Sequence, residues 1–157
     1  MTGVVIAAEP AGGEQAHALL NRYYGELAER FPPGREAFDL ARIAAPATEF
    51  APPHGQFLIA RRDAQALGCG ALRLLEANVG EIKRLWVDPA ARGLGIGRGL
   101  LTALESAAVD LGCHTARLDT ASYLPESLAL YRAAGYLEIP SYNDNPYAAH
   151  WLEKRLA

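Results

Sequence analysis

ARGLGIGRGLL, residues 91–101, sets Gly93, Gly95 and Gly97 at alternate positions between Arg92 and Arg98, and an apolar run follows at once. Glycines let successive backbone N–H groups converge on one point, because no side chain blocks the approach or restricts φ. A helix opening directly after such a turn adds unpaired donors and a partial positive charge, so a pyrophosphate is a natural guest. Arg92 and Arg98 can add charge-assisted hydrogen bonds. Two standard nucleotide loops do not fit. A Walker loop needs GxxxxGK[ST], and that lysine is absent. The dinucleotide fingerprint GxGxxG, begun at Gly93 or Gly95, places its last glycine on Arg98 or Leu100.

Upstream, VGEIKRLWV (79–87) reads as a strand that runs into Asp88-Pro89 and then the glycines. Downstream, Leu100, Leu101, Leu104, Ala107, Ala108 and Leu111 recur at helical spacing, and Gly112 stops the pattern. QFLIARR (56–62) and ALGCGALRLLE (66–76) precede this unit, joined by short polar turns, so three antiparallel strands in a row are expected. GVVIAA (3–8) is a first strand. A helix from Glu14 to about Phe31 follows, with Leu19, Leu20, Tyr23, Tyr24 and Leu27 on one side. The proline-rich stretch from Arg35 to Gly55 suggests a short helix and then a loop. TARLDTA (115–121) reads as a strand, and PESLALYRAAG (125–135) as a helix with proline at its start and glycine at its end. YLEIP (136–140) and AAHWLEKRL (148–156) close the chain as strands. The order predicts one α/β (α+β) domain over residues 1–157, with six or seven mixed, mostly antiparallel strands and about four helices.

The composition narrows the function. With 157 residues, half of them hydrophobic, the chain can bury one real core. A formal net charge of −3 gives no reason to expect nucleic-acid or anionic-membrane binding. No apolar run approaches the roughly 18 residues that a membrane span requires. The N-terminal residues do not read as a signal peptide, so a cytoplasmic protein is expected. Cys69 and Cys113 form neither a disulfide framework nor a metal-ligand spacing, and no metal is expected.

The segment Arg92 to Gly97 fits the pattern [RQ]-x-x-G-x-[GA], and with Val87-Asp88-Pro89 before it the chain resembles the GNAT superfamily of acyl-CoA-dependent N-acyltransferases. LYRAAGY (130–136) resembles that family's later LYxxxGF motif. The resemblance implies acetyl-CoA as cosubstrate, with its pyrophosphate on Arg92, Gly93, Leu94, Gly95, Ile96, Gly97 and Arg98. It implies that the pantetheine arm lies between the fourth and fifth strands along Leu85, Trp86 and Val87, whose backbone groups face the thioester. Glu81 stands at the spacing of the family's strand glutamate and is implied as the general base. Tyr131 matches the tyrosine that protonates the departing thiolate. The family's asparagine seven residues before that tyrosine is Leu124 here.

The acceptor side is less specific. Tyr24, in the first helix, and Tyr142 and His150, in the run SYNDNPYAAHW (141–151), are the candidate acceptor contacts. A small primary amine or amino acid is the expected acceptor, with no nucleic acid or membrane as partner and a homodimer left open. The alternatives are a module that senses acyl-CoA without turning it over, or an acetyltransferase acting on protein or aminoacyl-tRNA. The acidic balance weighs against a tRNA-binding face.

Overall fold

In the computed structural model, which describes residues 3–156, the chain forms one seven-stranded sheet with three α-helices. The elements are β1 (Val4–Ala8), α1 (Glu14–Arg30), β2 (Gly55–Arg62), β3 (Gln65–Glu76), β4 (Val79–Val87), α2 (Ile96–Asp110), β5 (Thr115–Thr120), α3 (Pro125–Ala133), β6 (Leu137–Ile139) and β7 (His150–Arg155). The strand order is β1-β2-β3-β4-β5-β7-β6, and β4 with β5 is the parallel pair in an otherwise antiparallel sheet.

The expected fourth helix does not form. Between α1 and β2 the chain makes three short 3-10 turns, at Arg35–Ala37, Leu40–Arg42 and Ala47–Phe50. Prolines 32, 33, 46, 52 and 53 interrupt that stretch, and proline cannot donate the N–H that a longer helix needs.

Two apolar layers sandwich the sheet. On one face, α2 sets Leu100, Leu101, Leu104 and Ala108 against Leu58, Ala60, Leu72, Leu118 and Leu152. On the other, α1 sets Ala16 and Leu19 against Phe57, Ile59, Cys69 and Ala71. Leu58 and Ala60 therefore face α2 while Phe57 and Ile59 face α1, the period-two alternation of a strand buried on both sides.

β4 breaks that alternation. Cys69 pairs with Trp86 and Ala71 with Lys83, so Arg84 and Leu85 together oppose Gly70 alone, a β-bulge. Arg84 takes the left-handed conformation, at φ 59°. As a result Ile82 packs in the α2 layer and Trp86 in the α1 layer, although residues four apart on a regular strand share a face. Gly70 is needed here because a Cβ at that position would lie 2.6 Å from Leu104 Cδ1 and 3.2 Å from Leu85 Cδ1.

Candidate active site

The parallel register of β4 and β5 runs only from Val79↔Thr115 to Glu81↔Arg117. Beyond it β4 continues to Val87 and β5 to Thr120, so the sheet opens between them. Strand backbone freed from its ladder offers a row of N–H and C=O groups to an extended guest. Two cavities meet at this opening and share Tyr23, Leu27, Leu85, Leu124 and Ser127.

The first, of about 300 Å³, is the loop cavity; Gly93, Gly95, Ile96, Gly97 and Arg98 border it. Gly93 and Gly95 sit at φ 84° and 82°, and a Cβ built on either meets nothing within 4 Å. Bare backbone therefore faces open space, and only glycine holds that conformation without strain. Gly95 caps α2 without a side-chain hydrogen bond, and the first helical bond is Gly99 N–H to the Gly95 carbonyl, at 3.0 Å. The N–H groups of Ile96, Gly97 and Arg98 thus have no partner inside the helix. A pyrophosphate-bearing coenzyme fits this surface: donors, positive dipole end and clearance coincide.

The flanking arginines differ. Arg92 is turned back, donating to Glu26 Oε1 at 2.7 Å and to the Val87 carbonyl at 3.0 Å. The Trp86 indole donates to the same Glu26 oxygen at 3.0 Å, and Arg22 pairs with Asp88 at 2.8 Å. Burial pushes the Glu26 carboxyl up, but the Arg92, Trp86 and Arg30 donors outweigh it and hold the group below its ordinary range. These contacts staple the glycine turn to α1. Arg98 lies exposed at the helix start, free to meet a phosphate. Ile96 is buried and anchors the helix in the core, while Leu94 is 45% exposed and does not border the cavity.

The second, of about 340 Å³, is the sheet cavity, lined by α1, the 3-10 segment, β4, β5 and the loop before β7. Tyr131 borders it. Burial raises its phenol well above the ordinary value, and the Asp119 charge adds to the effect, so the hydroxyl stays protonated at neutral pH. Tyr24 also borders it, and so does Tyr23, whose hydroxyl is raised chiefly by burial and then by Tyr131. The two neighbours lie 5.0 Å apart between ring centroids, at the wall where the cavities join.

Glu81 lies elsewhere. It is fully buried and borders neither cavity. Its carboxylate accepts from Arg73 Nε at 2.8 Å and from the Tyr142 hydroxyl at 2.7 Å. Tyr142 thus faces Glu81 and not the cavity, its own ionisation suppressed by burial and then by the Glu81 charge. His150 is on β7, its Nδ1 3.1 Å from Glu138 Oε1, away from both cavities.

The carboxylate that does border the sheet cavity is Asp119. Asn143 donates to it at 2.7 Å, Asn145 at 3.1 Å and Lys83 at 3.2 Å. The Asn143 amide also touches Glu81, at 3.4 Å, so one side chain joins the two buried acids. Sequence reasoning missed Asp119, Lys83 and Asn143 as a group. The one sequence signal was alternation on TARLDT, which puts Arg117 and Asp119 on the opposite face from Leu118. Leu124, where the resemblance would place asparagine, lines both cavities. Among the described residues no cluster of three or more histidines, cysteines or acids could hold a metal.

An opened sheet beside a bare helix start places the protein among the acyl-CoA-dependent N-acyltransferases. It belongs to the GNAT family of acetyltransferases, whose family model matches residues 14–136. An IAA acetyltransferase of Azospirillum brasilense is 37% identical over 121 residues, which cover 76% of this chain and 72% of that protein. A Klebsiella pneumoniae structure, provisionally named an acyl-CoA N-acyltransferase, superposes with a TM-score of 0.76 at 30% identity, over 98% of each chain. A GNAT acetyltransferase of Elizabethkingia anophelis, solved with acetyl-CoA bound, has the same fold, with a TM-score of 0.70 at 20% identity over 99% of this chain and 100% of that one.

Proposed function

We propose that this protein transfers the acetyl group of acetyl-CoA to the primary amine of a small molecule by direct attack. The observation that carries the reading is the junction of the two cavities at the β4/β5 opening, a donor chamber and an acceptor chamber sharing a wall. Acetyl-CoA supplies an activated acyl thioester: the acceptor nitrogen bonds to the acyl carbon, the carbon–sulfur bond breaks, the amine gives up one proton and the sulfur takes one.

The loop around Gly93, Gly95 and Gly97, with Arg98, holds the pyrophosphate. Leu85, Trp86 and Val87 lie along the opening, where main-chain groups bind the arm and steady the thioester carbonyl. Tyr131 gives its proton to the departing sulfur. Asp119 receives the proton of the amine, as the carboxylate that borders the sheet cavity; Lys83 Nζ touches both of its oxygens, at 3.2 and 3.4 Å, and Asn143 and Asn145 touch one each. Glu81, joined to Asp119 through Asn143, holds Arg73 at the cavity wall and Tyr142 behind it, and acts as a positioning group.

The test is a panel of primary amines with acetyl-CoA, read as free thiol released. Turnover of a small amine is expected. Coenzyme binding by calorimetry with no thiol released from any amine, lysine peptides included, replaces enzyme with sensor.

A further inference from the structure

Four cations border the sheet cavity: Arg42, Arg73, Lys83 and Arg84. Arg73 is matched by Glu81 and Glu49, and Lys83 by Asp119. Among the described residues neither Arg42 nor Arg84 has a carboxylate partner, and of the two Arg42 is exposed and Arg84 half-buried. The Arg84 guanidinium donates to the Ala45 carbonyl at 3.0 Å and lies over the Phe50 ring at 4.3 Å, with Tyr24 at 5.9 Å. A half-buried guanidinium stacked on aromatic rings is held in one orientation, with donors of its planar fork still to be matched.

The backbone at Arg84 points the same way. Among the described residues three non-glycine residues have positive φ: Asp63, Asn78 and Arg84. Asp63 and Asn78 sit in the hairpin turns on either side of β3, where that conformation is routine. Arg84 has it inside a strand, where a long side chain is strained and persists only if the surroundings demand it. The bulge it creates puts Lys83 and Arg84, neighbours in sequence, on the same face of the sheet. A regular strand would have sent one of them to the α2 side.

We infer that the sheet cavity takes an amine that also carries a carboxylate, an amino acid being the simplest, and that Arg84 binds the carboxylate. Both charges border the one cavity: Arg84 for the carboxylate, and Asp119 for the amine. A simple alkylamine would meet the Arg84 charge with nothing to offset it. The proposal rests on the acetyl-transfer reading for the fate of the amine but not for the binding of the carboxylate.

The experiment compares L-phenylalanine, L-leucine, L-methionine and L-glutamate with their α-amides, by thiol release and by calorimetry with coenzyme A present. A charge-assisted pair at a half-buried site makes kcat/KM for at least one acid about tenfold or more above that of its amide. In Arg84→Gln the ratio falls to within about threefold, while Arg84→Lys keeps part of it. Equal rates and equal affinities for acids and amides overturn the inference. A preference that survives intact in Arg84→Gln, checked as folded by circular dichroism, overturns it too. Failure of all eight compounds to bind overturns it as well. Acid-selective binding without thiol release supports the carboxylate site and overturns acetyl transfer instead.

Discussion

Ile82 and Trp86, four residues apart on β4, pack on opposite faces of the sheet because the bulge between them inserts one unpaired residue. That residue pair marks where the strand changes its part: Val79 to Glu81 stay in the ladder with β5, whereas Leu85 to Val87 border the opening.

The bulge has a stability signature. Arg84→Gly removes the left-handed strain and Arg84→Ala keeps it, so the glycine variant is expected to be more stable than the alanine variant by about 1 kcal/mol. Urea unfolding of the two measures the difference. Equal midpoints would mean that the strand relaxes to an ordinary conformation in the alanine variant.

The glycine turn separates folding from binding. Gly95→Val meets open space but must adopt φ near 82°, costing about 1–2 kcal/mol, and the protein stays folded. Its side chain would stand in the proposed pyrophosphate site. Calorimetry should therefore show coenzyme binding lost while the thermal transition survives; retained affinity would move the phosphate site off this loop.

For Tyr131→Phe, kcat should fall about 100-fold with coenzyme affinity unchanged. Because burial and then the Asp119 charge raise the phenol, its proton is kept past the ordinary tyrosine value near 10. The wild-type rate therefore does not decline between pH 8 and 10 through this group. A wild-type decline in that range that vanishes in the phenylalanine variant would assign Tyr131 a lowered value, against its burial.

The two acids divide roles, and substitution separates them. Glu81→Gln removes the buried carboxylate and leaves the half-buried Arg73 with Glu49 as its carboxylate partner, and is expected to lower stability by about 1–3 kcal/mol, read by urea unfolding. Asp119→Asn should leave the unfolding midpoint closer to wild type and lower kcat/KM about 100-fold. If Glu81→Gln, still folded, lowers kcat/KM by that factor and Asp119→Asn does not, the proton goes to Glu81.

Alkaline pH should unfold the protein early. Burial raises Tyr23, Tyr131, Tyr136 and Tyr142, and pushes the Cys69 thiol up to about 12. A group raised in the folded state binds its proton more tightly there than when unfolded. Its stabilisation is complete below the unfolded value, about 8.5 for cysteine and 10 for tyrosine, and is lost as pH rises through the folded value. Thermal midpoints are expected to be level to about pH 8.5, then to fall, more steeply above pH 10. A midpoint that holds to pH 11 would contradict the burial of these groups.

Most of the architecture was readable from local patterns. Alternating and continuous apolar runs located β2, β3 and β4 to within one residue, and helical spacing located α1 and α2. The glycine loop was equally readable as a turn into a helix, since its glycines, its proline and the helix after it are contiguous. The acceptor chamber was not. Tyr24 borders the sheet cavity, whereas Tyr142 and His150 face Glu81 and Glu138, and Asp119, Lys83 and Arg84 carry no motif.

The sequence by itself determined the proposed donor loop as a structure: a turn that only glycine can make, followed at once by a helix with free N–H groups, is a local property of residues 92–98. Only the tertiary structure decided the acceptor side. Asp119 and Asn143 are 24 residues apart, and Arg84 lies 34 residues from the Phe50 ring it covers. Their juxtaposition depends on where β4 parts from β5 and on one bulge that turns two adjacent cations to the same face. Pairing register and strand parity are set between strands, so no local stretch of residues encodes them.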